Sequence, residues 1–418
     1  MRVLMLLDSY RQDEVGRFLY RLSQRLTPMP GLVLNSVAFE RGPMMDLLSG
    51  GAVGVRVLPL APPRPYRFRP LMNLRRAGRA LAQRTDRPDV VHIFCRWPSL
   101  RWRMLLGGLD DVPAVWTPPE AHQSPLRRWV GTGLEWLPFT RWRSRHSQQV
   151  AALLPSLRDQ LPASAGGEAK LLTPGVDAVQ THPLAKVSRA RMRILLNVGR
   201  DVPLVAVPLH RELTALQEDW IIRLLAQLQG AVPGAVFCVV GPPMEKDSFR
   251  SELLDAGVGE SARLIGPVPE YLPQVLGAAD MAILPLRDDG FHLYAAEAQA
   301  AGIPVLTVDS PNNRFFVRHG ETGLVVPPGN TGAMCQAFTR LLGDRQELRS
   351  MGEAARRLVQ EEFEVGNTAS ALMGLWNSLA PQAAVEDDIT RSKADTDNSE
   401  ADAGRTQALP GTGPQAGS

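Results

Sequence analysis

Cysteine is scarce in this chain. Cys95, Cys238 and Cys335 are the only three among 418 residues, and their spacing suits no metal site. An odd, scattered set excludes a disulfide framework and fits a reducing compartment. Lysine is scarce as well: Lys170, Lys186, Lys246 and Lys393 are all there are, so arginine carries the positive charge. Long apolar runs are missing. None reaches the roughly 18 residues that span a bilayer. Val3–Leu7, followed at once by Asp8, is too short for a signal-peptide core and reads as a buried first strand. What remains, 44% hydrophobic and 21% charged, is ordinary globular composition, and 418 residues predict two domains with accessories.

Charge is distributed unevenly. Residues 1–180 hold 25 Lys and Arg against 14 Asp and Glu, and the remainder is net acidic. A basic N-terminal half suits an anionic partner. Six of the eight tryptophans, Trp97, Trp102, Trp116, Trp129, Trp136 and Trp142, are interleaved there with arginines such as Arg96, Arg101, Arg127, Arg128 and Arg143. Rings beside cations suit an anionic membrane surface, and equally suit tryptophans packed between helices under arginine stems. No nucleic-acid-binding motif accompanies the segment, so nucleic acid is not an expected partner.

Strand-like runs alternate with helical ones throughout. In the first half, strands are predicted at 2–7, 32–39, 53–60, 89–94, 114–117, 150–154 and 170–173. Helices are predicted at 16–26 and 70–84, the first with Phe18, Leu19, Leu22 and Leu26 on one face. After a less regular link near 178–202 the pattern restarts, with strands at 204–207, 235–240, 262–265, 281–285, 304–308 and 323–326, and terminal helices at 343–362 and 368–379. Alternation of this kind predicts α/β architecture, two doubly wound Rossmann-like domains facing a cleft. The expected boundaries are 1–178, 179–366, a terminal helix at 367–380 packing back on the first domain, and a disordered polar tail at 381–418. Asp395-Thr396-Asp397 in that tail matches a metal-binding Asp-x-Asp only by chance, and no metal is expected.

The most informative stretch is Asp289-Gly290-Phe291-His292-Leu293-Tyr294-Ala295-Ala296-Glu297, followed by Ala298 to Val305. Gly at a helix start bares backbone N–H groups to a phosphate. Glu297 is expected just over two turns into the helix, within reach of a ligand's hydroxyls. Read as residues alone, the stretch is a nucleotide-sugar site or a buried αβ unit with a surface carboxylate.

Together with Gly277-Ala278-Ala279-Asp280-Met281-Ala282-Ile283-Leu284-Pro285, Gly320–Gly329, Pro174-Gly175-Val176-Asp177, Val239–Pro242 and Leu264–Val268, the stretch resembles the GT-B glycosyltransferases of family 4, over roughly residues 1–380. The resemblance implies a retaining transferase. Its C-terminal domain would bind a nucleotide diphosphate sugar and its N-terminal domain a glycan or lipid-linked acceptor. It further implies ribose contacts from Glu297, diphosphate contacts from the backbone of Gly290, Phe291 and His292 with Leu293 beside them, a sugar-facing Asp289, and Gly266 near the base. No cofactor or metal is implied. The protein would be cytoplasmic, at most peripheral on the inner face of the membrane.

The chain departs from the family pattern in four places. The usual glycine-rich turn after the first strand is reduced to Gly16. Asp289 stands where Glu is usual. The usual Gly-Arg falls on Pro208-Leu209 and the usual Lys near Thr214, leaving His210 and Arg211 in the intervening stretch; Arg211 is the candidate phosphate cation. The usual N-terminal histidine falls on Pro119, and His122 is the nearby candidate. These departures keep open a second reading, a catalytically impaired relative that binds nucleotide or glycan as a partner subunit.

Overall fold

The computed structural model describes residues 1–9, 14–50, 53–57, 69–82, 87–94, 105–109, 112–118, 148–160, 169–209, 213–241, 247–266, 272–287 and 292–380. The first unit is built from β1 (Arg2–Ser9), α1 (Glu14–Leu26), β2 (Val33–Glu40), α2 (Met44–Gly50), β3 (Gly54–Val57), α3 (Arg69–Ala82), β4 (Val90–Phe94), β5 (Ala114–Trp116), β6 (Gln148–Ala152), α4 (Pro155–Gln160) and β7 (Lys170–Leu171). Its seven strands run parallel in the order β3-β2-β1-β4-β5-β6-β7. A parallel sheet covered on both faces needs continuous apolar strands, and β4 and β5 are buried at every position. On α1, Phe18, Leu19, Leu22 and Leu26 are buried together, as their spacing predicts. Trp116 lies within this core, so it packs against the sheet and takes no part in a surface aromatic belt. The other five tryptophans of that segment fall outside the described residues.

The second unit runs through α5 (Lys186–Leu195), β8 (Leu204–Pro208), α6 (Ala215–Ala231), β9 (Val236–Val240), α7 (Asp247–Asp255), β10 (Ala262–Ile265), α8 (Leu272–Ala278), β11 (Met281–Leu284), α9 (Tyr294–Ala300), β12 (Val305–Val308), α10 (Pro311–Phe316), β13 (Gly323–Val326), α11 (Thr331–Gly343), α12 (Arg345–Glu362) and α13 (Val365–Leu379). Its six parallel strands have the order β10-β9-β8-β11-β12-β13. Two doubly wound sheets of this kind are the expected architecture.

Local chemistry sets several boundaries. Thr214 and Gln217 form a reciprocal capping box at the start of α6. The expected helix at 343–362 begins two residues late. Asp344 accepts hydrogen bonds from Gln346 N and Glu347 N, which ends one helix and caps α12. The link near 178–202 is more regular than expected, because α5 lies in it. That helix is held by Asp280, whose carboxylate accepts from Arg189 (2.7 Å), Arg193 (3.4 Å) and the Leu204 amide (2.8 Å). The Asp of Gly277–Pro285 therefore anchors α5 to the entry of β8.

The final helix returns to the first unit. Val176 N donates to Phe363 O at 2.8 Å, and Val365 N donates to Val176 O at 3.0 Å. Two chain crossings thus lie side by side between the sheets. At this crossing Gly175 has no room for a side chain, since a Cβ there would stand 2.4 Å from Val365 Cα. Gly175→Ala is expected to cost about 1–3 kcal/mol through forced backbone displacement. Gly374→Ala, in open space on α13, is expected to be neutral or stabilising by about 0.5–1 kcal/mol. Urea unfolding of the two variants beside the parent checks both; equal stabilities would contradict the crowding at Gly175.

Candidate functional site

In the second sheet β8 and β11 are neighbours, and the strand order reverses between them. Ligands of open α/β sheets sit outside the carboxyl ends of the strands at such a switch point. The chain leaving β8 passes Leu209, and the chain leaving β11 leads by residues 285–287 towards α9. Beside them Gly241 follows β9 with φ +148°, donating its N–H to Ile265 O at 3.0 Å. A Cβ there would meet Leu209 O at 2.1 Å, so glycine lets the two strand ends close up. Gly266, at the end of β10 on the same edge of the sheet, has no atom of the described residues within 4 Å of where a Cβ would be.

Glu297 sits at this edge, but not where the sequence suggested. The helix starts at Tyr294, with Leu293 at the cap position and no side-chain cap, so Glu297 lies in the first turn. Nor is it a surface carboxylate, being only 1% exposed. Its Oε1 accepts from Arg21 Nη1 at 2.5 Å, an ion pair that joins α1 of the first unit to α9 of the second. Its Oε2 is buried without a hydrogen-bond partner among the described residues. Burial pushes this carboxyl up. The charge of Arg21, then that of Arg17, with the Arg21 hydrogen bond and His292, overrides burial and holds it below the usual carboxylate range. Arg17, one turn before Arg21, shares a hydrogen bond with Tyr294, whose hydroxyl burial pushes up.

His292 and Leu293 are both buried, immediately before α9. Asp289, Gly290, Phe291, His122 and Arg211 lie outside the described residues. Of the other cations near the carboxyl edge, Arg314 is tied to Asp309, and Arg318 to Glu362 at 2.5 Å. His92 is a satisfied core residue. Its Nδ1 accepts from Trp376 Nε1 at 3.2 Å, and Nε2 faces Thr117 Oγ1 at 2.8 Å.

Sequence reasoning missed the arginines of α1. Arg17, Arg21 and Arg25 recur every four residues and therefore share a helix face. That spacing was the available signal. The stripe faces the second unit: Arg25 reaches Asp177 at 3.3 Å and Glu364 at 3.1 Å, beside the paired crossings.

Comparisons with known proteins agree with this fold. The model for "Glycosyl transferases group 1" matches residues 218–358, and that for "Glycosyl transferase 4-like domain" matches residues 34–175. A D-inositol 3-phosphate glycosyltransferase of Nocardia farcinica is 34% identical over 217 residues, which is 50% of this chain. The chain spans about half of that relative, 46% of its length. A GDP-mannose-dependent alpha-(1-6)-phosphatidylinositol monomannoside mannosyltransferase of Mycobacterium tuberculosis is 28% identical over 326 residues, covering 71% of this chain and 84% of the relative. The crystal structure of Anabaena Alr3699/HepE in complex with UDP and glucose superposes with a TM-score of 0.73 at 16% identity, over 91% of this chain and 100% of that one. The two doubly wound sheets and both matched models place the chain in one family: it belongs to the GT-B glycosyltransferases of the family 4 type.

Proposed function

We propose that the protein transfers a sugar from a nucleotide diphosphate sugar to a lipid-linked or polysaccharide acceptor, with retention of configuration and without a metal. The observation that carries this reading is Glu297, a buried carboxylate at the switch point with one oxygen unpartnered among the described residues. A carboxylate so placed accepts vicinal hydroxyls in charge-assisted hydrogen bonds, the chemistry a ribose offers. The chain around Gly290, Phe291 and His292 would give backbone donors to the diphosphate, Asp289 would face the sugar, and Arg211 would meet the charge that grows on the departing diphosphate. His122 is proposed on the acceptor side. Lipid-linked acceptors accord with the phosphatidylinositol mannosyltransferase relative, and UDP in the Anabaena structure accords with a nucleotide donor. No helix among the described residues is long and apolar enough to cross a membrane, and an inner-face peripheral location through the Arg/Trp segment is part of the proposal.

Calorimetric titration with UDP, GDP and ADP tests the reading. One nucleotide is expected to bind at micromolar affinity in the presence of EDTA. Glu297→Ala, checked for folding by circular dichroism, is expected to weaken it by about tenfold to a hundredfold, the worth of a hydrogen bond to a charged group. Absence of binding to all three nucleotides would favour a partner subunit that has lost its donor.

A further inference from the structure

Glu297 is held by a residue 276 positions away in the chain. Arg21 lies on α1 and is itself 12% exposed at its side chain, so the pair is formed largely out of water. An isolated carboxylate so deeply buried would take up a proton and donate where it should accept. With the guanidinium at 2.5 Å it stays an anion, and its orientation is fixed through Oε1 alone. Oε2 is then left with unspent accepting capacity in a buried position.

Resting on the nucleotide-sugar reading of this site, we infer that Arg21 is a positioning residue of the donor site, contributed by the N-terminal domain: it grips one oxygen of Glu297 and thereby presents the other to the ligand's hydroxyls. The carboxylate belongs to the second unit and its orienting cation to the first. The donor site is complete only while the two units are in contact, so nucleotide affinity reports on their apposition. Were Arg21 instead a plug occupying the place of the ligand, its removal would tighten binding.

The groups facing Glu297 define what a pH titration would read. Arg21 and Arg17 approach from α1, and His292 and Tyr294 belong to its own segment. Of the other elements packed on α9, α8, β11 and β12 carry no charged residue. Arg314 of α10 is bound to Asp309, and Arg356 of α12 donates to Ala300 O. Only the α1 arginines and His292 oppose the effect of burial on this carboxyl.

The test is calorimetry with UDP, GDP and ADP on the full chain, from about pH 6 to about pH 8, a window well above the ordinary carboxylate range. The variants are Arg21→Lys, Arg21→Gln, Glu297→Gln and the double Arg21→Gln/Glu297→Gln. The parent is expected to bind with little pH dependence. Arg21→Gln is expected to bind about tenfold to a hundredfold more weakly near pH 6 and to recover towards pH 8, because Glu297, left with only Arg17 and His292 to oppose burial, ionises less readily. Arg21→Lys restores most of the affinity. In the Glu297→Gln background the Arg21 substitution adds little, and the pH dependence disappears. Arg21→Gln binding as the parent does at every pH, or more tightly, overturns the inference. So does a loss that is flat with pH and persists in the Glu297→Gln background, which would mark a purely structural role. A parent chain that binds no nucleotide overturns the donor reading and this inference with it. The double variant carries neither buried charge, so it separates loss of binding from loss of folding.

Discussion

Replacing Trp376 by alanine is expected to lower the unfolding free energy by about 3–5 kcal/mol, the usual cost of deleting a fully buried large aromatic. Trp376 lies on α13, the last helix before residue 380, yet it is fully buried beside a strand of the first unit. Its ring meets His92 edge-on at 5.7 Å with an interplanar angle of 83°, and its indole N–H is the hydrogen-bond donor to His92 Nδ1. The substitution removes apolar contact, leaves a cavity that a sheet cannot close, and strands a buried acceptor. Trp376→Phe should recover most of the packing but not the hydrogen bond, for a loss of about 1–3 kcal/mol. Urea unfolding followed by circular dichroism gives both numbers. A loss below about 1 kcal/mol in the alanine variant would mean that the first unit does not lean on the terminal helix.

Stability should also fall steeply on mild acidification, with His92 as a principal cause. Burial drives its imidazole down to about 3 from an ordinary 6.5. Because Trp376 donates to Nδ1, the ring is neutral with its proton on Nε2, which donates to Thr117 Oγ1. The sign follows from linkage. Below the unfolded value the denatured chain binds a proton that the native chain refuses, so acid pulls towards unfolding. The contribution of this residue is fully present above about pH 6.5 and is lost at about 1.4 kcal/mol per pH unit as pH falls towards 3. Glu297, held below the carboxylate range, adds a loss in the same direction at more acid pH. Unfolding free energies between about pH 7 and about pH 4.5, parent against His92→Gln, isolate the histidine: the parent slope should be steeper by about one proton. Parallel slopes would show that His92 already carries its proton in the native state.

Much of the fold was legible because it is local. Strands such as Val90–Phe94 and Val236–Val240 are continuous apolar runs, and a parallel sheet buried on both faces demands just that pattern. The apolar face of α1 was readable from Phe18, Leu19, Leu22 and Leu26. The start of α9 was not. Asp289-Gly290 looks like an entry to a helix, whereas the backbone reaches helical geometry only at Tyr294, and Glu297 moves from beyond the second turn into the first. Position also decides the arginines. Their four-residue spacing says that Arg17, Arg21 and Arg25 share a face, but the carboxylates they meet lie 152 to 339 residues away, and no local pattern encodes a partner at that distance. The motif singled out Glu297; that it is buried and paired is visible only in the tertiary structure.

The doubled crossing between the two units has a mechanical consequence. A single linker would leave one unit free to swivel in every direction about the other. Here Val176 and Glu364 lie abreast, bonded to each other through the 363–365 backbone, with Ala178 N donating to Glu364 at 3.0 Å and Arg25 clamping Asp177 and Glu364 from the side. Two bonded strands act like the two pins of a door. Twist and lateral slide would shear these contacts, while bending about the line through both pins leaves them intact. The doubled crossing thereby resists twist and lateral slide of one unit against the other.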